Sequence, residues 1–323
     1  MATTIYDVAA RAGVSAATVS RVFNGSGVSR EKVRVVLAAA QELGYTPNRT
    51  ARALRTRSST VIALIVADIE NPFFTSLARG VEDVTLQAGY SVVLCNTDED
   101  QARERAALAV ALSEHMAGVI LVPAADRSEI GPLLDRNVPV VTVDRALHHQ
   151  PVDSVVVDNL AGGRHATARL YERGAHRVAC ITGPQEAETA ELRSAGWRQE
   201  FRRSSPGVDP ETYLRHADYR VDGGRAAMAQ LLDLPEPPDA VFVANNLMAV
   251  GALAELRERG LAPPGFGMSA FGDLPYLPLG PSGIAVIPIP TRHIGATAAT
   301  VLLERIQGAT HPVRTIVLRN EPD

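Results

Sequence analysis

Apolar residues recur at helical spacing through the first 45 positions and then change to unbroken runs. Ile5, Val8, Ala9 and Ala12 fall at i, i+3, i+4 and i+7, the period of one helix face. Thr4 precedes them with Asp7 three positions on, the pattern of a capping box, and Gly13 ends the stretch. "VSAATVSRVFNG" (14–25) predicts a second helix, capped by Ser15, with Val19, Val22 and Phe23 inward. "NGSG" (24–27) closes it. A third helix opens at Ser29, turns Val33, Val36, Leu37 and Ala40 inward, and stops at Gly44. Helix, glycine turn, helix, loop, helix is the helix-turn-helix layout.

From residue 61 the pattern is β-branched runs alternating with helical stretches. "VIALIVAD" (61–68), "SVVLCNTD" (91–98), "GVILVPA" (118–124), "VPVVTVDR" (138–145) and "SVVVDN" (154–159) come first. "HRVACITGP" (176–184), "DAVFVANN" (239–246), "GMSAFGD" (267–273) and "TIVLRN" (315–320) follow. Continuous apolar strands separated by helices predict parallel sheets covered on both faces. Nine strands are too many for one such sheet, so the expectation is an α/β core of two doubly wound subdomains behind an all-α helix-turn-helix domain. Ligands of these sheets bind beyond the carboxyl ends of strands. Those ends are polar here: Asp68, Asn96 and Asp98, Asp144 and Arg145, Asp158 and Asn159, Asn245 and Asn246, and Asp273.

Charge separates the two regions. The chain of 323 residues carries −4 overall, but residues 1–60 hold nine Arg or Lys against three acids, which is +6 there and −10 beyond. A basic head on an acidic body predicts that the head alone meets a polyanion. The basic, Ser/Thr-rich segment "PNRTARALRTRSS" (47–59) has little to bury. It reads either as a solvated linker or as a short helix that forms only against DNA, with Leu54 its one large apolar residue. No apolar run approaches the ~20 residues of a membrane span. "MATTIYDVAA" lacks a basic segment followed by an apolar one, so no signal peptide is expected and the cytoplasm is the expected compartment. Cys95 and Cys180 each sit inside a strand run and read as free, buried thiols.

With these residues in view the chain resembles LacI-type transcriptional regulators over nearly its whole length. "TIYDVAARAGVSAATVSRVFNG" is similar to the family's N-terminal signature. "VSREKVRVVLAAAQELGYTPNRTARALRTRSS" is similar to its third helix and hinge, and "IENPFFTSLARGVEDVTLQAGY", "RSAGW", "ANNLMAVGAL" and "AFGDLP" to stretches of its core. The resemblance implies a helix-turn-helix head (1–46), a hinge (47–60), and a core like that of periplasmic sugar-binding proteins (61–323). Its N-subdomain is expected at about 61–160 plus 290–310, and its C-subdomain at about 161–289 plus 311–323. It implies a repressor-like regulator that binds double-stranded DNA, no catalytic activity, no cofactor or metal, and a homodimer on a near-palindromic operator. The chain ends after "TIVLRN" without an apolar heptad tail, so dimers rather than tetramers are expected.

The resemblance also assigns residues. Ala16, Ala17 and Arg21 take the positions that contact bases, and Arg21 can bind guanine O6 and N7 bidentately. A phosphate contact is the alternative for Arg21. Thr4, Ser15, Thr18, Ser20 and Asn24 serve packing and phosphate contacts. Leu54 matches the hinge leucine that wedges between base steps in the minor groove, flanked by Ala51 and Arg55. The effector cleft is expected to hold Phe73, Phe74, Asp144, Arg145, Arg193, Asn245 and Asp273. Arg193 is its main polar clamp, Trp197 packs, and ordinary core is the alternative for the two phenylalanines.

Two positions depart from the family. Asn246 and Gly272 stand where an acid is common, and Asp273 then falls next to its expected register. Losing two carboxylates makes an acidic ligand, a sugar acid or phosphate, at least as reasonable as a neutral sugar. His148 and His149 have no partner at metal-ligand spacing. The glycine pairs at 162–163 and 223–224 suit close helix packing, and neither follows a dinucleotide fingerprint. A solute-binding protein of a transporter and a metabolic enzyme on a doubly wound sheet are the rivals. The basic head opposes the first, and the absence of a nucleophile–base pair at the strand ends opposes the second.

Overall fold

A computed structural model describes residues 3–23, 27–45, 59–274 and 283–320. Asn24 and the hinge residues Ala51, Leu54 and Arg55 lie outside them. The chain divides into two compact units, 1–59 and 60–323.

The first unit holds α1 (Ile5–Ala12), α2 (Ala16–Phe23) and α3 (Arg30–Glu42). Thr4 and Asp7 form the capping box in both directions, and Gly13 ends α1 at φ +65°. The Ser15 hydroxyl accepts the Thr18 N–H at 3.2 Å, which satisfies one orphan donor of α2. Val8, Val19 and Val36 are fully buried where the helices meet, and the rings of Phe23 and Tyr45 lie 5.9 Å apart. Two expectations for α3 are not met. Ser29 sits at the cap position, but its side chain makes no capping bond. Leu37 is 48% exposed, because the inward face is Val36, Ala39 and Ala40. At 100° per residue Leu37 falls past the edge of that face.

The second unit contains two parallel sheets. The first is built from β1 (Val61–Val66), β2 (Ser91–Asn96), β3 (Gly118–Leu121), β4 (Val140–Val143), β5 (Asp153–Val157) and β11 (Thr315–Leu318), in the order β11-β5-β4-β3-β1-β2. The second is built from β6 (Val178–Thr182), β7 (Leu214–His216), β8 (Ala240–Val243), β9 (Gly267–Phe271) and β10 (Ile284–Ile287), in the order β10-β9-β8-β6-β7. Both orders reverse beside the sheet's first strand, at β1/β3 and at β6/β8. That reversal opens a crevice at the carboxyl ends of the strands.

β7 and β10 were not expected. The first has three residues, and the second is an edge strand followed at once by Pro288 and Pro290, so neither gives a long β-branched run. β11 corrects one boundary. It pairs in parallel with β5, Thr315 opposite Ser154, so residues 315–318 extend the first sheet rather than joining the C-subdomain. The helix before it packs on β3, β4 and β5, and a short connection leads to the open edge beside β5.

The crossover helices pair closely. α4 (Pro72–Gln87) crosses α11 (Thr291–Ile306), α7 (Asn159–Glu172) crosses α8 (Glu188–Ser204), and α9 (Val221–Leu232) crosses α10 (Asn246–Glu258). Each pair carries a glycine on both members: Gly80 and Gly295, Gly163 and Gly196, Gly224 and Gly251. A Cβ on any of the six would overlap a backbone carbonyl of the opposite helix, that of Arg193 in the case of Gly163. Two shorter helices, α5 (Gln101–Ser113) and α6 (Gly131–Leu134), complete the first subdomain.

Gly163→Ala is therefore expected to lower the stability of the core by about 1–3 kcal/mol in urea unfolding, the cost of overpacking. Gly131→Ala, with open space around its Cβ position, should stay within about 0.5 kcal/mol of the parent. Equal effects at the two sites would contradict the close crossing.

Candidate functional site

The carboxyl ends of the two sheets face one another across a cavity of about 460 Å³. Helix starts supply much of its wall, because every β-to-α connection delivers a helix N-terminus to this side. At α4, Asn71 caps by accepting the Phe73 N–H at 3.0 Å, and Pro72 takes the first turn. At α10, the Asn245 side chain accepts the Met248 N–H at 3.0 Å. α8 starts at Ala187 with no side-chain cap.

All seven residues expected in the cleft line it. Phe73 and Phe74 meet edge to face with centroids 4.9 Å apart. Phe74 is also part of the hydrophobic core, whereas Phe73 is half-buried. Arg193 is buried on α8. Its Nε donates to Asn159 Oδ1 and its Nη1 to the Ala244 carbonyl, both at 2.8 Å, and the guanidinium lies 4.1 Å from the Phe271 ring centroid. That geometry is a cation–π contact. Burial pulls the Arg193 pKa down, with the charges of Tyr219 and Asp144 pulling the other way. Trp197, expected to pack, is fully buried and donates Nε1–H to the Val178 carbonyl at 2.9 Å.

Asp144 and Arg145 form a buried charged group at the end of β4. Arg145 donates through both terminal nitrogens to Glu99, at 2.6 and 2.5 Å, and to the Pro123 carbonyl at 3.0 Å. Its Nε is buried without a hydrogen-bond partner, 3.6 Å from Asp144. Burial works against the Arg145 charge, but the paired Glu99 outweighs it and raises the pKa. For Asp144 burial dominates and pushes the carboxyl up, against the attraction of Arg145 and Arg193.

The two departures from the family have structural readings. Asn246 Nδ2 donates to Asn71 Oδ1 at 3.2 Å and so ties one subdomain to the other. Gly272 adopts φ +90°, a left-handed conformation that suits glycine, and leaves Asp273 exposed at the rim. Several wall residues had no role assigned from sequence, notably Asn71, Glu99, Thr189, Asp218, Tyr219 and Arg220. Tyr219 donates to or accepts from Thr189 Oγ1 at 2.9 Å, and its ring fills the place a side chain on Gly183 would take. Burial pushes its phenol pKa up. Six non-glycine residues have positive φ among the described residues, and four of them line this cavity: Asp98, Glu99, Asp144 and Tyr219. Strained backbone concentrated at one place marks a functional site.

The cavity wall is acidic on balance. Asp68, Asp98, Glu99, Asp144, Asp218 and Asp273 face Arg145, Arg193 and Arg220. Two of these cations already have carboxylates beside them, Arg145 with Glu99 and Arg220 with Asp68 at 3.7 Å.

On α2, Ser15, Ala17 and Arg21 are exposed, and Thr18 and Ser20 are partly buried. The Thr18 hydroxyl lies 2.9 Å from that of Ser15. Ala16 was expected on the outward face but is half-buried against the core of the head. Thr4 is exposed and committed to its cap. Tyr6 had no expected role, yet it is 74% exposed on this basic unit. Its position outside the Ile5–Val8–Ala9–Ala12 face was the available signal. Among the described residues there is no group of three or more metal-binding side chains, and no helix is long and apolar enough to cross a membrane.

Residues 59–320 match the family of periplasmic binding proteins and sugar-binding domains of the LacI family, and residues 4–48 match the lacI family of bacterial regulatory proteins. The chain is 33% identical to the HTH-type transcriptional repressor CytR of Escherichia coli (strain K12), over 95% of this chain and 91% of that protein. It is similar to the structure of the transcriptional regulator CelR–cellobiose complex, with 33% identity, TM-score 0.73, and 98% and 97% of the two chains covered. It is also similar to the Lac repressor dimer bound to operator and the anti-inducer ONPF, with 28% identity, TM-score 0.87, and 99% and 97% covered.

Replacing Arg145 with Met should cost about 3–5 kcal/mol in chemical denaturation, because it removes the buried cation that Glu99 and Asp144 share. A loss below about 1 kcal/mol would mean that the charged group is solvated and not a fixed part of the wall.

Proposed function

The chain belongs to the LacI family of bacterial regulatory proteins and is a DNA-binding transcriptional regulator with a sugar-type effector domain, and from that premise we propose how its residues divide the work. Two copies bind one near-palindromic operator in the cytoplasm as a repressor. Each places α2 in the major groove, with Arg21 and Ala17 toward base edges and Ser15, Thr18 and Ser20 toward phosphates. The Tyr6 hydroxyl suits a further phosphate contact. Ala51, Leu54 and Arg55 act in the minor groove.

The effector sits in the cavity between the subdomains. The observation that carries this reading is the convergence there of Arg193, the Asp144–Arg145–Glu99 group and the Phe73 ring, on a backbone with four positive-φ residues. Effector binding changes the closure of the subdomains and so the pairing of the hinges. This is a population shift limited by the ligand's differential affinity for the two states. The acidic wall favours a neutral polyhydroxy ligand. The absent acids at 246 and 272 had favoured an anion, but six carboxyl groups still line the cavity, and two of its three arginines are already paired with carboxylates. Arg193 then donates to a hydroxyl or ring oxygen, and Asp144 and Asp273 accept from hydroxyls. The site binds without turnover.

Selection of bound duplexes from a random pool should return a near-palindrome. Arg21→Ala should lose about 1–3 kcal/mol per half-site for that sequence and relax the preference at one base pair. Equal weakening on all sequences would make Arg21 a phosphate contact instead. In calorimetry, neutral mono- and disaccharides should include a binder and the corresponding sugar acids should not. Binding confined to the acids would overturn the ligand class.

A further inference from the structure

A second hollow of about 250 Å³ adjoins the main cleft on the far side of Arg145 and Ala146. It lies where the loops after β3 and β4 meet the start of α8, so the two subdomains face each other across it. One side chain spans the gap. Glu188, in the first turn of α8, accepts the Ala146 N–H at 3.0 Å with one carboxylate oxygen and reaches His148 Nε2 at 2.6 Å with the other. The residues it joins are forty or more positions away in sequence and belong to the other subdomain. Elsewhere the subdomains are tied by Asn246 to Asn71 and by Arg220 to Asp68 at 3.7 Å, both at the wall of the main cleft. The Glu188 contact therefore holds the opposite side of the junction, away from the effector.

We propose that Glu188 is a latch on subdomain closure, and that the charge on His148 sets how tightly it holds. The backbone bond from Ala146 does not depend on the charge of His148. The bond to His148 is an ion pair only when the imidazole is protonated. The other charged groups facing His148 are Glu186 on the loop after β6, Glu191 on α8, Asp126 on the loop after β3 and Arg145 on its own loop. Four of the five neighbours, Glu188 included, are acids, so the field favours the imidazolium. Asp126 lies 3.5 Å from His149 and Glu191 3.6 Å from Arg198, and Glu188 is the acid around the hollow that is hydrogen-bonded to His148.

The hydrogen bond to Glu188 raises the His148 pKa in the closed arrangement. Parting the subdomains removes that bond and returns the imidazole toward its ordinary value. The closed state thus binds the proton more tightly. The latch is at full strength below the ordinary histidine pKa and weakens as pH rises through the raised one. His148 is 61% exposed on its side chain, so solvent limits the effect to about two- to five-fold in the closed-to-open ratio. The Glu188 contacts are read from the junction geometry; that the subdomains open and close, and that this alters operator binding, rests on the function proposed above.

The test reads closure directly and needs neither effector nor operator. Spin labels at Arg127 and Gln185, exposed on opposite subdomains beside the hollow, are placed in full-length protein carrying Cys95→Ser and Cys180→Ala. Inter-label distances are then recorded at pH 6 and pH 8. The ratio of short to long distances should be about two- to five-fold greater at pH 6. His148→Gln should abolish that pH dependence, and Glu188→Gln should shift the protein toward long distances at both pH values. An unchanged ratio in the parent, pH dependence that survives His148→Gln, or unaltered distances in Glu188→Gln would each overturn the latch.

Discussion

Parallel strand pairing is the constraint on which the core depends. Each strand must be followed by a crossover before the next can pair with it in parallel, so all carboxyl ends of a sheet, and most helix starts, point the same way. Here two such sheets face each other with those ends inward. The apolar interior of β1, β3, β4, β6 and β8 is therefore continuous with a polar cavity between the subdomains. Asn71 and Asn245 appear there as helix caps, and Arg193 is held there by a neighbouring helix. Side chains that satisfy helix ends are by the same geometry side chains that line the cavity.

The glycine crossings make that geometry rigid. Each of the three helix pairs brings backbone against backbone, and one member of each pair begins at the cavity: α4 with Phe73, α8 ahead of Arg193, α10 with Asn246. Positions in the cavity wall are thus fixed by helix crossings three to seven residues further along the same helices. In the function proposed above, closure is governed by contacts between the two subdomains. Asn246, Arg220 and Glu188 make those contacts. Asn246 shows what a sequence pattern leaves out: the position that lacks a carboxylate also carries a contact between the subdomains.

Much of this was legible in the sequence because it is local. Continuous β-branched runs gave nine of the eleven described strands, and the Thr4 and Ser15 caps followed from spacing of a few residues. The cavity residues carried by strand ends, such as Asp144 and Asn245, were legible for the same reason. What was hidden depends on distant parts of the chain. β7 and β10 are short edge strands that exist because a neighbour is present to pair with. Leu37 is exposed because tertiary contacts, not its own periodicity, choose the inward face of α3. Glu99 reaches Arg145 from 46 positions away through a left-handed turn at Asp98 and Glu99, which no local pattern announces. The carboxylate of Glu99 in the cavity wall was missed for that reason.

The most direct measurement of the central claim is operator affinity of the full-length protein, titrated with a panel of neutral sugars, in the parent and in Arg193→Met. One compound should change the parent's operator Kd by about five-fold or more, the usual scale of a coupling between two sites, and leave the Arg193→Met protein unresponsive. A sugar shown to bind the parent without altering operator affinity, or a response that persists fully in Arg193→Met, would contradict an account in which this cavity controls DNA binding.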